Sequence, residues 1–80
     1  MSIQDQVSEI ISKQSIVPKK EIGREDKLSN LGIDSLKKVE LIIALEREFS
    51  VRFDESDLNP NALAKVEDII GLVEKTIRKQ

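Results

Sequence analysis

The stretch LGIDSLKKVEL, from Leu31 to Leu41, contains the clearest helix start in the chain. Asp34 and Ser35 are both good N-cap residues, so one of them is expected to accept a hydrogen bond from a free N–H group of the first turn. Lys37 and Lys38 follow at positions where the helix dipole disfavours a base by about 0.3–1 kcal/mol. The lysines are therefore not there for helix stability, and Ser35 either caps the helix or presents its hydroxyl to another molecule.

The residues that follow predict a helix over about 35–50, because they include no Pro or Gly and are rich in Leu, Glu and Lys. Its apolar residues form two stripes. One has the spacing of a core-facing helix: Leu41, Ile42, Leu45 and Phe49. The other follows a neighbouring face and exceeds what a thin bundle needs: Leu36, Val39 and Ile43.

Two further helices are predicted by apolar residues at helical spacing. The first covers about residues 2–15, with Ile3, Val7, Ile10 and Ile11 on one face. The last covers about residues 66–78, with Val66, Ile69, Ile70, Val73 and Ile77 on one face. With no strand pattern, the expected fold is a single all-α domain over residues 1–80, a small bundle of three main helices plus one short helix.

The two connections differ in character. Pro18 and Gly23 open a long loop that reaches about Asp34. Apolar side chains are expected to pin this loop to the core: Ile16, Val17, Ile22, Leu28, Leu31 and Ile33. The second connection, about 53–64, is irregular and is expected to hold the short helix, begun either by Asp54 with Asp57 or by Asn59 with Pro60.

Composition excludes several classes of function. The 80 residues include no Cys and no His, which removes disulfides, thiolate metal sites and the usual nucleophile and general base, so we expect neither an enzyme nor a metal protein. The net charge of −2 is spread along the chain and speaks against nucleic-acid binding. We expect no membrane insertion, because the chain has no signal-like start and no apolar run of membrane-spanning length, and we predict a cytoplasmic protein.

The segment DKLSNLGIDSLKKVEL, residues 26–41, resembles the attachment segment of the acyl carrier protein family, in which an Asp, an LG pair and a DSL triplet precede a helix containing VEL. The later segments ALEREF, DESDLNPNAL and VEDI also resemble the family in order and approximate spacing, so that the likeness covers nearly the whole chain. DSL alone is weak evidence. The combination in a small helical chain is strong evidence.

The resemblance implies that Ser35 receives 4′-phosphopantetheine from coenzyme A through a separate phosphopantetheinyl transferase. It also implies that Asp34 helps to hold a metal ion of that transferase, in addition to any capping role. Physical reasoning agrees, because a chain without Cys needs an added thiol to hold a thioester, and a helix N-terminus favours the anionic phosphodiester. Gly32 is expected either to adopt a positive φ before Asp34 or to let the backbone of a partner approach closely.

Partner enzymes that load and transfer acyl or aminoacyl groups are implied by the same resemblance. Leu36, Val39 and Ile43 match family positions that contact partners. For Val39 and Ile43 the alternative is packing on the other helices or lining a cavity for an acyl chain. We expect partner contact for Leu36 and an interior place for Ile43. Further candidate partner-binding residues are Lys37, Lys38, Asp54, Glu55 and Asp57.

The lysines mark a departure from carriers of fatty-acid synthesis, which usually have an acidic helix here. In residues 35–50 the bases Lys37, Lys38 and Arg47 balance three acids. Such a neutral helix predicts partners from a specialised fatty-acid, polyketide or related pathway. Lys37 or Lys38 contacts either the prosthetic phosphate or an acidic partner patch, or else is simply solvated.

The leading hypothesis is a free-standing, monomeric acyl carrier that binds its partners transiently. An aminoacyl carrier of the D-alanyl or peptidyl type is the alternative within the family. Outside it, an unmodified helical interaction module would not need Ser35, and a helix-turn-helix DNA binder is disfavoured by the negative net charge.

Overall fold

The protein folds into three α-helices joined by two irregular connections, in a computed structural model that describes residues 2–59 and 62–79. The helices are α1, Ile3–Gln14; α2, Ser35–Phe49; and α3, Val66–Lys79. Short 3-10 turns occur at Lys19–Glu21, Leu28–Leu31 and Glu55–Asp57. The expected all-α bundle of three main helices and one short helix is confirmed.

The core lies where α1 packs against both α2 and α3. α2 contributes Leu41 and Leu45, which are fully buried, while Ile42 and Phe49 pack against the core from partly buried positions. The predicted inward stripe of α2 is therefore correct. The other main core residues come from α1, the long loop and α3: Val7, Ile10, Ile11, Leu28, Leu31, Ile33, Val66, Ile69, Ile70, Leu72 and Val73.

Hydrogen bonds join the long loop before α2 to the end of α1 and to the start of α3. At the end of α1, Ser15 Oγ donates to the Leu31 carbonyl at 2.7 Å. At the start of α3, Leu28 N donates to the Ala64 carbonyl at 2.9 Å and Val66 N donates to the Asp26 carbonyl at 3.0 Å. The residues that enter α2 are thus held against the ends of both other helices.

Ile16 and Ile77 are more exposed to solvent than the sequence predicted. Ile16 was expected to pin the loop, yet it is 82% exposed, and Val17 packs against the core instead. Ile77 was expected on the buried face of α3, yet it is 37% exposed and its neighbour Thr76 is buried. Thr76 tolerates burial because its Oγ1 donates to the Leu72 carbonyl at 2.8 Å.

The connection between α2 and α3 contains the expected short helix as the 3-10 turn Glu55–Asp57. Asp54 precedes this turn, but its side chain makes no capping hydrogen bond. The alternative start involves Pro60, which lies outside the described residues. None of the helices in residues 2–59 and 62–79 combines the length and the apolar character needed to cross a bilayer.

Candidate functional site

Asp34, and not Ser35, caps α2. Its backbone is extended, and its Oδ1 accepts a hydrogen bond from Lys37 N at 2.9 Å. Ser35 is the first helical residue, is exposed, and makes no side-chain hydrogen bond with any described residue. Because the cap is supplied by its neighbour, the Ser35 hydroxyl has no structural task in the fold.

Gly32 sets the backbone conformation between the turn Leu28–Leu31 and the start of α2. It ends the turn Leu28–Leu31 in the left-handed conformation, with φ of 81°, and its N–H donates to the Ser29 carbonyl at 3.2 Å. A Cβ at this position would meet Ile16 at 3.6 Å, which is an ordinary contact distance. The backbone conformation, and not crowding within the protein, is therefore what favours glycine here.

A cleft of about 310 Å³ begins beside Ser35. Of the described residues, Ser35 and Lys38 form its polar lining. Its apolar lining comes from α2 and from the connection that follows α2: Val39, Ile42, Ile43, Leu58 and Leu63. Sequence reasoning missed Leu58 and Leu63, because an isolated leucine in an irregular segment gives no periodicity that would assign it to a face.

The second apolar stripe of α2 is exposed to solvent. Leu36 is 70% exposed, Val39 57% and Ile43 46%. The interior place expected for Ile43 is wrong, because Ile43 lies two residues from both Leu41 and Leu45 and so faces away from the side that they bury. We call Leu36, Val39 and Ile43 the α2 apolar face; two of its members, Val39 and Ile43, also form one wall of the cleft.

The lysines after Ser35 occupy different sides of α2. Both are partly buried, and neither forms a salt bridge or a side-chain hydrogen bond with a described residue. Lys38, three residues after Ser35, shares its side of the helix and lines the cleft. Lys37, two residues after Ser35, does not line the cleft.

The acidic residues after α2 form a separate cluster. Lys75 Nζ lies 2.8 Å from Asp57 Oδ1, and Lys79 Nζ lies 3.5 Å from Asp54 Oδ2 and 3.6 Å from Asp57 Oδ2. The hydrogen bond from Lys75 lowers the pKa of Asp57 below its ordinary value, and the charges of Lys75 and Lys79 add to this against the opposing effect of partial burial. Asp54 and Asp57 line a second pocket of about 190 Å³, away from the cleft lining.

The acids proposed for partner binding are therefore not gathered around Ser35, and two of the three are ion-paired to α3. Glu55 is exposed and has no ion pair with a described residue. Within residues 2–59 and 62–79, no group of three or more His, Cys, Asp or Glu side chains is placed to hold a metal ion. The chemistry that the arrangement offers is an accessible hydroxyl at a helix start, beside an apolar cleft.

Comparison with known sequences points to one family. A family model described as "Phosphopantetheine attachment site" matches residues 5–73. The chain is 40% identical over 76 residues to an acyl carrier protein from Solidesulfovibrio magneticus, covering 94% of this chain and 95% of that one. It is 39% identical over 74 residues to the chloroplastic acyl carrier protein 3 of Hordeum vulgare, covering 91% of this chain and 54% of that one. The chain thus spans about half the length of the barley relative.

Solved structures give the same result for the fold. A carrier protein from Agrobacterium tumefaciens, in complex with an engineered Bradyrhizobium japonicum glycine:[carrier protein] ligase and ATP, superposes with a TM-score of 0.82 at 26% identity, covering 92% of this chain and 99% of that one. An acyl carrier protein from Thermotoga maritima superposes with a TM-score of 0.76 at 26% identity, covering 92% and 85%.

Proposed function

Because the chain belongs to the acyl carrier protein family, whose members are non-catalytic carriers with covalently attached 4′-phosphopantetheine, we propose that its arm is attached to Ser35. We further propose that it is a free-standing carrier of acyl thioesters in a specialised fatty-acid, polyketide or related pathway. The proposal includes the cytoplasmic location and the monomeric state expected from the sequence. The arm supplies the thiol that the chain, without Cys, does not have.

The observation that carries this assignment is that Asp34, and not Ser35, caps α2. Asp34 caps the first turn by accepting from one of its N–H groups, that of Lys37. The Ser35 hydroxyl is exposed and has no partner among the described residues. No imidazole is present in the chain to remove its proton. We therefore expect the base that activates Ser35 to come from the transferase, as for a substrate protein.

The residues around Ser35 fit an attached phosphodiester. The N-terminus of α2 presents its free N–H groups and the positive end of its dipole next to Ser35, which favours an anion. The exposed position of Ser35 leaves room for the arm, and Gly32, three residues before it, has no side chain. The α2 apolar face adjoins the attachment point and is proposed as the surface that partners contact.

The test is the intact mass of the purified apo protein after incubation with coenzyme A, Mg²⁺ and a broad-specificity phosphopantetheinyl transferase. Wild type is expected to gain one phosphopantetheinyl group, and Ser35→Ala none. Ser29→Ala, which removes another exposed hydroxyl, is the matched control and is expected to be modified like wild type. Modification of folded Ser35→Ala would contradict the assignment by placing the arm on another residue. No mass gain in folded wild type would also contradict it and would favour the unmodified interaction module.

An aminoacyl cargo is a second candidate, favoured by the structural match to a carrier bound to a glycine:[carrier protein] ligase. The cleft beside Ser35 favours the acyl candidate instead. Burial of a hydrocarbon chain against its five apolar lining residues gains about 0.8 kcal/mol for each CH₂ group removed from water. A glycyl group bears a charged amine and has no chain to bury, so it gains nothing from this cleft.

The two candidates separate when the holo protein is loaded chemically with an octanoyl or a glycyl thioester. An acyl carrier is expected to show methyl chemical-shift changes at Ile42 and Leu63 and a higher Tm with the octanoyl group only. Equal, small changes with both groups would show that the cleft does not hold cargo. The aminoacyl candidate would then be decided by loading assays with acyl-activating and aminoacyl-activating enzymes.

A further inference from the structure

Lys38 is the charged residue that lines the cleft beside Ser35. Its place follows from helix geometry, because residues three apart share a face and residues two apart do not. Among the described residues, the rest of the cleft lining apart from Ser35 is apolar, and Lys38 has no ion pair or side-chain hydrogen bond with any of them. Lys38, a partly buried residue in the lining of the cleft, therefore has no anion paired with its ammonium group in the part of the chain that the structure describes.

Once the arm is attached, the ammonium group of Lys38 can offset negative charge next to Ser35. The Asp34 carboxylate already lies at the N-terminus of α2, where it accepts from Lys37 N. A phosphodiester on the adjacent residue adds a second negative charge, and like charges on neighbouring residues repel. In the unmodified protein, by contrast, Lys38 opposes the dipole of α2 and has no counter-ion among the described residues.

We propose that Lys38 binds the phosphodiester of the arm and thereby holds the base of the arm against the cleft. The inference rests on the proposed attachment of the arm to Ser35, and it assigns different roles to two adjacent lysines. Lys38, on the side of Ser35, pairs with the phosphate. Lys37, on another side of α2, does not, although its backbone N–H serves the Asp34 cap.

The test compares the apo and holo forms of wild type, Lys38→Gln and Lys37→Gln, with the arm carrying a free thiol so that the phosphodiester is its only anion. The measured quantity is the Tm of each holo form minus the Tm of its own apo form, which cancels any effect of the substitution on folding itself. Intact mass first establishes that each holo form carries the arm. The ³¹P chemical shift of the phosphodiester is a second readout.

Lys38→Gln is expected to lower the holo-minus-apo difference by about 2–4 °C relative to wild type at low salt, the range for one exposed ion pair in a domain of this size. The effect is expected to shrink at high ionic strength, because salt screens the pair. It should be accompanied by a changed ³¹P shift. Lys37→Gln is expected to resemble wild type in both readouts.

Equal holo-minus-apo Tm differences and equal ³¹P shifts in all three proteins would overturn the proposal. Equal losses in both variants would also overturn it, because they would show a general effect of positive charge and no specific contact. Absence of the mass gain in wild type would instead count against the attachment at Ser35, and the inference would fail with it.

Discussion

Gly32 is the residue whose conformation most directly determines its identity. Its φ of 81° lies in the left-handed region, where a residue with a Cβ costs roughly 1–2 kcal/mol more than glycine. Gly32→Ala is therefore expected to lower the free energy of unfolding by about that amount, measured by urea denaturation. The neighbouring side chain of Ile16 adds no clash, since it would lie 3.6 Å from the new Cβ.

Gly71 provides the matched control. It lies within α3 and is exposed, and a Cβ added there would meet no heavy atom within 4 Å outside its chain neighbours and the backbone of its own helix. Gly71→Ala is expected to raise the free energy of unfolding by about 0.5–1 kcal/mol through helix propensity. If both alanine variants changed stability in the same direction, backbone conformation would not explain the glycine at position 32.

The role or burial of a single residue could be predicted only where the neighbouring sequence carried a signal for it. The pair Asp34 and Ser35 predicted a cap, but either residue satisfied the same preference, so only the three-dimensional structure could assign the cap to Asp34. The proposed role of Ser35 came from family resemblance, since no local rule distinguishes a modified serine from a capping one. Ile16 and Ile43 were misplaced because apolar character alone does not say which side of a backbone a residue faces.

Among the larger elements, α2 buries one side in the core and exposes apolar residues on another. Leu41 and Leu45 are fully buried, whereas Leu36 is 70% exposed. Leu36→Ala is therefore expected to change the free energy of unfolding by no more than about 0.5 kcal/mol. If the α2 apolar face contacts partners, the same change is expected to slow modification by the transferase about fivefold or more, the effect of losing an interface contact worth about 1 kcal/mol.

Ile77→Ala is the control for this prediction. It removes another exposed large apolar side chain, from the last part of α3 and outside the α2 apolar face. It is expected to leave the modification rate close to that of wild type. Equal slowing in both variants would indicate a general effect on folding or solubility, and equal rates in all three proteins would remove Leu36 from the contact surface.

The ion pairs that join Asp57 to Lys75 and Lys79 of α3 predict how the stability of the fold depends on pH. Because Lys75 and Lys79 lower the pKa of Asp57 in the folded protein, the ionised carboxylate stabilises the fold above its unfolded-state pKa of about 3.9. That contribution is lost as the pH falls through the lowered pKa. Asp57→Asn is expected to have a lower Tm than wild type at neutral pH, with a difference that narrows as the pH falls from about 4 to 3.

Asp54→Asn is the comparison for this series of melting curves. The Asp54 side chain is 66% exposed and has one contact with Lys79, at 3.5 Å, so its loss is expected to matter less than that of Asp57. A Tm difference for Asp57→Asn that stayed constant down to pH 3 would show that charge is not its cause. The sequence analysis named both acids as candidate partner-binding residues and did not predict these ion pairs, because the pairing depends on how α3 lies against the turn and has no local signal.

The fold as a whole was more predictable than its surfaces. Each α-helix was predicted to within one residue of its observed ends, because long amphipathic segments carry a periodic signal. The 3-10 turns Lys19–Glu21 and Leu28–Leu31 were not predicted, since such short elements carry little pattern. The cleft was not predicted as a single site either, because it combines α2 with Leu58 and Leu63 of the irregular connection that follows α2.

The distribution of charge over the molecule leads to a prediction about partner choice. α2 has three bases and three acids, so a basic partner surface gains little from approaching it. The double variant Lys37→Asp with Lys38→Asp would make α2 strongly acidic. With a fatty-acid synthesis enzyme that has a basic docking surface, this variant is expected to accept cargo up to about tenfold faster than wild type at low salt, and no faster at high salt.

The control is the double variant Lys19→Asp with Lys20→Asp on the exposed turn Lys19–Glu21. Each swap changes the charge by two units, so both double variants go from a net charge of −2 to −6, since −2 minus 4 is −6. If net charge alone steers the encounter, the two variants will be accelerated equally. If the charge of α2 selects the partner, only the variant with Lys37→Asp and Lys38→Asp will be accelerated, and that result would support the proposed specialised pathway.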